Sequence, residues 1–260
     1  MVVFFDLDGT IVDDSTQIIP DSAIRAVEEL GRRGHLAVVN TGRPYGHVDP
    51  RIRRMAFSGW ICGCGMEVLL DEKWLHRAAP APEVCQFTVD AVRDCGMQVL
   101  YEDTDRMYRG GSHSDAPRPL RQAQRLRDRG VPVEEIDSLP APKFIKFITH
   151  DAPGCRRAEF LERTSSLFTP IDRGRGMIEY VLKGCSKAEG MNILLRHLGL
   201  GKEDALAIGD STNDLPMFEA AGHTVCMGSG MAELKEKADY ITSGVLEDGI
   251  EKALQHYGLI

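Results

Sequence analysis

Short apolar runs alternate with longer amphipathic stretches at both ends of the chain. Val2 to Phe5 is β-branched and aromatic and stops at Asp6-Leu7-Asp8-Gly9, which predicts a buried strand running into a loop. Pro20-Asp21-Ser22 opens a predicted helix with Ile24, Val27 and Leu30 on one face and Gly31 and Gly34 near its end. Leu36 to Val39 predicts a second buried strand that stops at Asn40-Thr41-Gly42-Arg43. Strand, helix and strand in this order form the βαβ pattern of a parallel sheet. The pattern returns later: Ser186 to Leu198 has helical spacing, and Ala205 to Ile208 is an apolar strand ending at Gly209-Asp210. Thr224 to Met227 and Tyr240 to Thr242 predict two more short strands.

The middle of the chain has another rhythm. Pro80-Ala81-Pro82 marks a boundary. Beyond it, helical stretches (Glu83 to Asp94, Leu120 to Arg129, Gly154 to Leu167) mix with strands of half-exposed pattern at Gln98 to Tyr101, Lys143 to Thr149 and Met177 to Leu182. Arg109-Gly110-Gly111-Ser112 reads as a loop. The expected fold is α/β, a Rossmann-like parallel-sheet core from residues 1–79 and 183–260 with an inserted α+β cap domain at residues 80–182. Such a cap lies within the usual size of a domain.

Composition narrows the function classes. With 260 residues, 43% of them hydrophobic and 27% charged, the chain can fill one large core or two smaller ones, and disorder is not expected. The net charge of −8 gives no bulk attraction to nucleic acid or anionic lipid, so neither is an expected partner. A phosphorylated ligand would need a local basic pocket. The apolar start stops at Asp6 without a basic leader, and no apolar run approaches the roughly 20 residues that span a bilayer. A cytoplasmic protein without membrane contact is expected. Seven cysteines at irregular spacing argue against a disulfide framework and for reduced thiols. Cys62-Gly63-Cys64 lacks the spacing of a zinc or redox pair and reads as buried or loop.

Polar residues gather just after the predicted strands, at the carboxyl edge where open parallel sheets bind ligands. Asp6 and Asp8 sit one residue apart at a strand tip, an arrangement that is costly unless a cation offsets it. A hard divalent ion with oxygen ligands suits the pair, magnesium first among them. One carboxylate can attack phosphorus and the other can move a proton, although an acidic turn or a structural metal loop has the same pattern. Asn40-Thr41-Gly42-Arg43 offers a hydroxyl and backbone N–H groups for a phosphate oxygen, or caps a turn. Lys183-Gly184-Cys185-Ser186-Lys187 brings a lysine that could hold a nucleophilic carboxylate ionised, or that is solvated. Gly209-Asp210-Ser211-Thr212-Asn213-Asp214 adds two carboxylates and an amide, or forms a turn.

Taken in order, these four stretches resemble the motifs of the haloacid-dehalogenase-like hydrolase superfamily, DxDGT, TGR, KGxxK and GDxxND, and the inserted cap resembles its Cof-type phosphatase branch. The resemblance implies a magnesium-dependent phosphomonoester hydrolase working through an aspartyl-phosphate. It implies Asp6 as nucleophile and metal ligand, and Asp8 as general acid and base that binds metal through its main-chain oxygen. Leu7 (main chain), Thr41, Gly42, Lys187 and Asn213 would hold phosphate, and Lys187 would stabilise its charge. Asp210 would be the third protein ligand of Mg2+, with Asp214 and Arg43 in support and Lys183 a weaker candidate. Two departures stand out: Cys64 occupies a place where the family usually has Asn, and Asn40 replaces a small residue before Thr41-Gly42-Arg43. The implied substrate is a small phosphate ester, a sugar phosphate or phosphorylated cofactor. Cap cations such as Lys143, Lys146, Arg173 and Arg175 could meet it, though each reads more simply as a solvated charge. A phosphosugar mutase of similar fold and a non-catalytic binding protein are the alternatives. A dehalogenase would not need the acid/base Asp8. Oligomeric state is not legible.

Overall fold

The computed structural model describes residues 1–111, 117–174 and 176–260, the side chains of 117–119 and 122 aside. The chain divides into two units. The first contains Met1–Gly42, Pro50–Arg77 and Ser186–Ile260; the second contains Arg43–Asp49 and Ala78–Cys185.

In chain order the first unit opens with β1 (Val2–Phe5), α1 (Asp21–Arg32), β2 (Leu36–Asn40), the single turn α2 (Pro50–Arg53), β3 (Gly59–Cys62), β4 (Glu67–Leu70) and β5 (Lys73–Arg77). The second unit supplies α3 (Pro82–Asp94), β6 (Gln98–Glu102), β7 (Met107–Gly111), α4 (Pro117–Asp128), β8 (Val133–Glu135), β9 (Lys146–His150), α5 (Arg157–Thr164), β10 (Phe168–Asp172) and β11 (Met177–Leu182). The chain then completes the first unit with α6 (Lys187–Leu198), β12 (Ala205–Gly209), α7 (Leu215–Ala220), β13 (His223–Cys226), α8 (Ala232–Lys235), β14 (Tyr240–Ile241) and α9 (Gly249–His256).

The first unit is built on one sheet in the order β14-β13-β12-β1-β2-β3-β4-β5. Strands β14 to β3 run parallel, with Phe4 level with Ala207 on one side and Val38 on the other. Strands β4 and β5 add an antiparallel extension that the apolar pattern did not predict. Its outermost strand is mostly exposed, so it carries little of the hydrophobic signal by which strands are recognised. All four side chains of β1 are fully buried, as befits a central parallel strand covered on both faces. The chain turns to β2 on one side of β1 and has β12 on the other. The carboxyl ends of these three strands therefore meet where the strand order reverses, the usual place for a ligand in such sheets.

The second unit holds a six-stranded sheet, β10-β11-β9-β6-β7-β8, antiparallel except for the last pair. One face carries an aromatic core in which Phe147 stacks on Tyr180 with ring centroids 4.6 Å apart and meets Phe160 and Phe168 edge-on. Arg43–Asp49, which the sequence pattern leaves with the core, joins this unit: the Gly46 N–H donates to the Thr104 carbonyl at 2.8 Å, and His47 Nε2 lies 3.1 Å from the Arg106 carbonyl oxygen.

Three expectations need correction here. The stretch at Arg109 is not a loop: Arg109, Gly110 and Gly111 close strand β7, and only Ser112 lies outside the described residues. Gly111 has φ +81°, and a β-carbon there would sit 2.4 Å from the Met97 carbonyl oxygen, so its glycine signals close approach to a neighbouring strand rather than a turn. The strands read as half-exposed are buried throughout β6 and β9. Finally, Lys146 is not solvated. It is 3% exposed, lies 3.1 Å from Glu102 and pairs with Glu179, which Arg173 also grips. Burial would raise the Glu179 pKa, but Lys146 and Arg173 bring it down to about 2. The polar residues of these strands therefore pair with each other instead of facing water. Lys143 is exposed and 3.3 Å from Asp103, while Arg175 lies outside the described residues.

Candidate active site

Every motif residue except Arg43 and Lys183 to Cys185 lies in the first unit. Asp6 follows β1, and its N–H donates to the Ile208 carbonyl of β12 at 3.0 Å, which fixes the backbone where the sheet ends. The chain then winds tightly round the Leu7 carbonyl, which accepts from Thr10, Ile11 and Val12 at 2.9 to 3.2 Å. The turn needs Gly9. Its φ is +83°, and a β-carbon there would lie 2.4 Å from Asp210 Oδ2. Glycine thus lets the Asp6–Asp8 loop press against the carboxylate that ends β12.

Lys187 is the hub. It is the first residue of α6, whose N-cap Ser186 accepts from the Glu189 N–H at 3.1 Å. A cation at a helix N-terminus opposes the helix dipole, and this one is 2% exposed. Two carboxylates offset both costs: Lys187 Nζ lies 2.6 Å from Asp6 Oδ1 and 2.6 Å from Asp214 Oδ1. Burial alone would lower the lysine pKa, but Asp214 and Asp6 outweigh it and hold the amine charged. Lys183, by contrast, is exposed.

Asp214 is fully buried and engaged through both oxygens. Its Oδ1 faces Lys187, and its Oδ2 accepts from the Asp210 and Ser211 N–H groups at 3.0 and 3.2 Å. Asp210 is different: its buried Oδ1 has no hydrogen-bond partner. One carboxylate oxygen each from Asp6, Asp210 and Asp214 falls within a 4.8 Å cluster. Burial, then the charges of Asp6 and Asp214, lift the Asp210 pKa to about 8. Asp14, which no motif singles out, adds to that push. Burial also raises Asp6, with Asp214 and Asp8 adding to it and Lys187 pulling the other way.

An all-oxygen set with an orphaned buried acceptor fits a hard divalent cation. Because both oxygens of Asp214 are already engaged, Asp6 and Asp210 are the side chains with capacity for it, and Asp214 holds the lysine. A raised carboxylate pKa means that the folded apoprotein keeps protons which the unfolded chain has released. The stabilisation is complete below the ordinary carboxylate range and is lost as pH rises through about 8 for Asp210. Melting temperature in chelator is therefore expected to fall between pH 5 and about 8, and Mg2+ to recover the loss mainly at the alkaline end. A thermal-shift series with and without Mg2+ measures this; equal slopes in both would contradict it.

The remaining residues frame the same edge. Thr41 is buried after β2, with its N–H on the Ile61 carbonyl at 2.8 Å, and Gly42 is half-buried beside it. Asn213 is half-buried, and the Ser211 hydroxyl donates to its Oδ1, which leaves its amide N–H groups as the donating end. Asp8 is half-buried. Arg43 belongs to the second unit. The hydrogen bond from Ser211 is not legible in the sequence, because the position reads simply as part of a turn.

Comparison with known proteins decides the family. The profile of the haloacid dehalogenase-like hydrolases matches residues 3–254. The chain belongs to that family. Among its relatives, the Bacillus subtilis protein YkrA is 30% identical over 265 residues, covering 100% of this chain and 98% of its own. The B. subtilis 5-amino-6-(5-phospho-D-ribitylamino)uracil phosphatase YcsE is 27% identical, covering 99% and 96%. A crystal structure from Geobacillus kaustophilus HTA426 superposes with a TM-score of 0.85 at 25% identity, covering 100% and 99%. The α/β fold with its parallel-sheet core is thus that of the family. No helix among the described residues is long and apolar enough to cross a membrane.

Proposed function

We propose that this hydrolase is a magnesium-dependent phosphatase of small phosphorylated metabolites. The observation that carries it is the Lys187 amine held at 2.6 Å from both Asp6 and Asp214, beside the orphaned Asp210 oxygen. Asp6 is the nucleophile. Its carboxylate oxygen bonds to phosphorus as the ester P–O bond breaks, and Asp8 gives its proton to the leaving oxygen. Water then attacks phosphorus, Asp8 takes the proton, the Asp6–phosphorus bond breaks and phosphate leaves. Lys187, Thr41, Gly42, the Leu7 main chain and Asn213 hold the phosphoryl oxygens. Asp6, the Asp8 main chain and Asp210 would hold Mg2+, whose chemistry is to neutralise charge on the phosphoryl group.

The substrate class follows relatives such as YcsE, named for a phosphorylated ribityl compound. A small soluble ester suits a chain with net charge −8, where bulk electrostatics offers nothing to a polyanion such as nucleic acid. Purified protein is expected to release phosphate from para-nitrophenyl phosphate and from some sugar or cofactor phosphates when Mg2+ is present, and to lose activity in chelator. Isomer formed without phosphate release would point to a mutase instead. No turnover of any ester in a broad panel would point to a binding protein.

A further inference from the structure

Lys187 can serve two carboxylates only if its backbone is fixed, and a first helical turn is the part of a helix that frays most readily. Its long side chain also has many rotamers to restrain. Asn40, the last residue of β2, addresses this. It is fully buried, and its Nδ2 donates to the Lys187 carbonyl oxygen at 3.1 Å. Its Oδ1 is buried without a partner, which costs stability relative to an apolar residue of similar shape. Packing alone would therefore favour a valine here, which also suits a strand. The Lys187 carbonyl heads the helical ladder of α6 and has a partner without Asn40.

A second set of contacts holds the same turn from the neighbouring strand β3, where Ile61 is the register partner of Asn40. Gly190 lies against β3: a β-carbon on it would be 2.3 Å from Ile61 Cγ2 and 3.1 Å from Gly65 Cα. Gly65, at φ +86°, has Ser186 in equally close contact, since a β-carbon there would fall 2.1 Å from the Ser186 carbonyl oxygen. One residue earlier, Cys64 has φ +56° and donates its N–H to the Thr41 carbonyl at 3.1 Å. A non-glycine residue in this left-handed region is strained unless its surroundings hold it.

We propose that Asn40 is a positioning residue that fixes Lys187, and that the turn from Cys62 to Gly65 completes a clamp tying the first turn of α6 to the phosphate-holding Thr41. This rests on the phosphatase reading for its effect on turnover, but not for its effect on the lysine. Asn40→Val should lower kcat for para-nitrophenyl phosphate about tenfold, as expected when an interaction that matters in the transition state is loosened, with KM changed less than about twofold. Its melting temperature should be unchanged or higher, a sign opposite to that of structural damage. Asn40→Ala provides the same test if valine disturbs folding. In protein labelled with 15N-lysine, the buried Lys187 ammonium should broaden or shift in either variant, and this readout needs no turnover. An unchanged kcat with an unchanged Lys187 resonance overturns the proposal, as does a loss of kcat accompanied by a lowered melting temperature in both variants. A wild-type protein without phosphatase activity refutes the functional reading alone, and the resonance then decides the clamp.

Discussion

Asp6→Asn is expected to lower kcat by at least about 10⁴, because it removes the proposed nucleophile. Asp214 is engaged by Lys187 and two backbone N–H groups, and Asp210 sits across from Gly9 just after β12. The substitution keeps the shape of the side chain and removes one of four crowded negative charges. The folded protein should therefore lose no stability, and in chelator at pH 8 it should gain some, since the raised pKa of Asp6 shows that its charge is disfavoured in the apoprotein. Steady-state assays with Mg2+, paired with thermal melts, separate the two effects. Activity within tenfold of wild type would remove Asp6 from the chemistry.

Lys187→Met should damage both activity and stability. Lys187 is the cation that both Asp6 and Asp214 approach at 2.6 Å, and all three are buried. Removing one partner of a buried ionic cluster leaves uncompensated charge and costs about 3–5 kcal/mol. The loss of charge at the phosphoryl group should lower kcat by a further factor of about 10²–10³. The stability deficit has a defined pH sense. Asp6, whose pKa Lys187 pulls down, will take up a proton more readily without its lysine, so the deficit should shrink as pH falls and widen as pH rises. Urea unfolding at pH 5.5 and 8 reads this directly; a deficit that grew toward acid pH would contradict the arrangement.

The core was legible in the sequence because its strands are short, fully apolar and followed at once by polar residues. That combination belongs to a parallel sheet with a ligand-binding edge, and it singled out the stretches that hold Asp6, Thr41, Asp210 and Asn213; the stretch of Lys187 enters a helix and joined them only by its chemistry and by the resemblance. Two parts were not legible. Strand β5 gives little hydrophobic signal, because its residues are mostly exposed. The second unit misled for the opposite reason: Lys146, Glu102 and Glu179 look like outward-facing charges by residue type, yet they are buried against one another. Charge pairing across strands leaves no trace in periodicity. The division of labour between Asp210 and Asp214 was likewise invisible, since it depends on which oxygens the backbone N–H groups have already taken.

The central claim is that Asp6 becomes phosphorylated during turnover. Acid-quenching the enzyme with a 32P-labelled ester in the presence of Mg2+, followed by proteolysis, tests it most directly. A hydroxylamine-labile label is expected on the peptide that contains Asp6, absent from Asp6→Asn. Turnover without any such label, or a label that persists in Asp6→Asn, would contradict it.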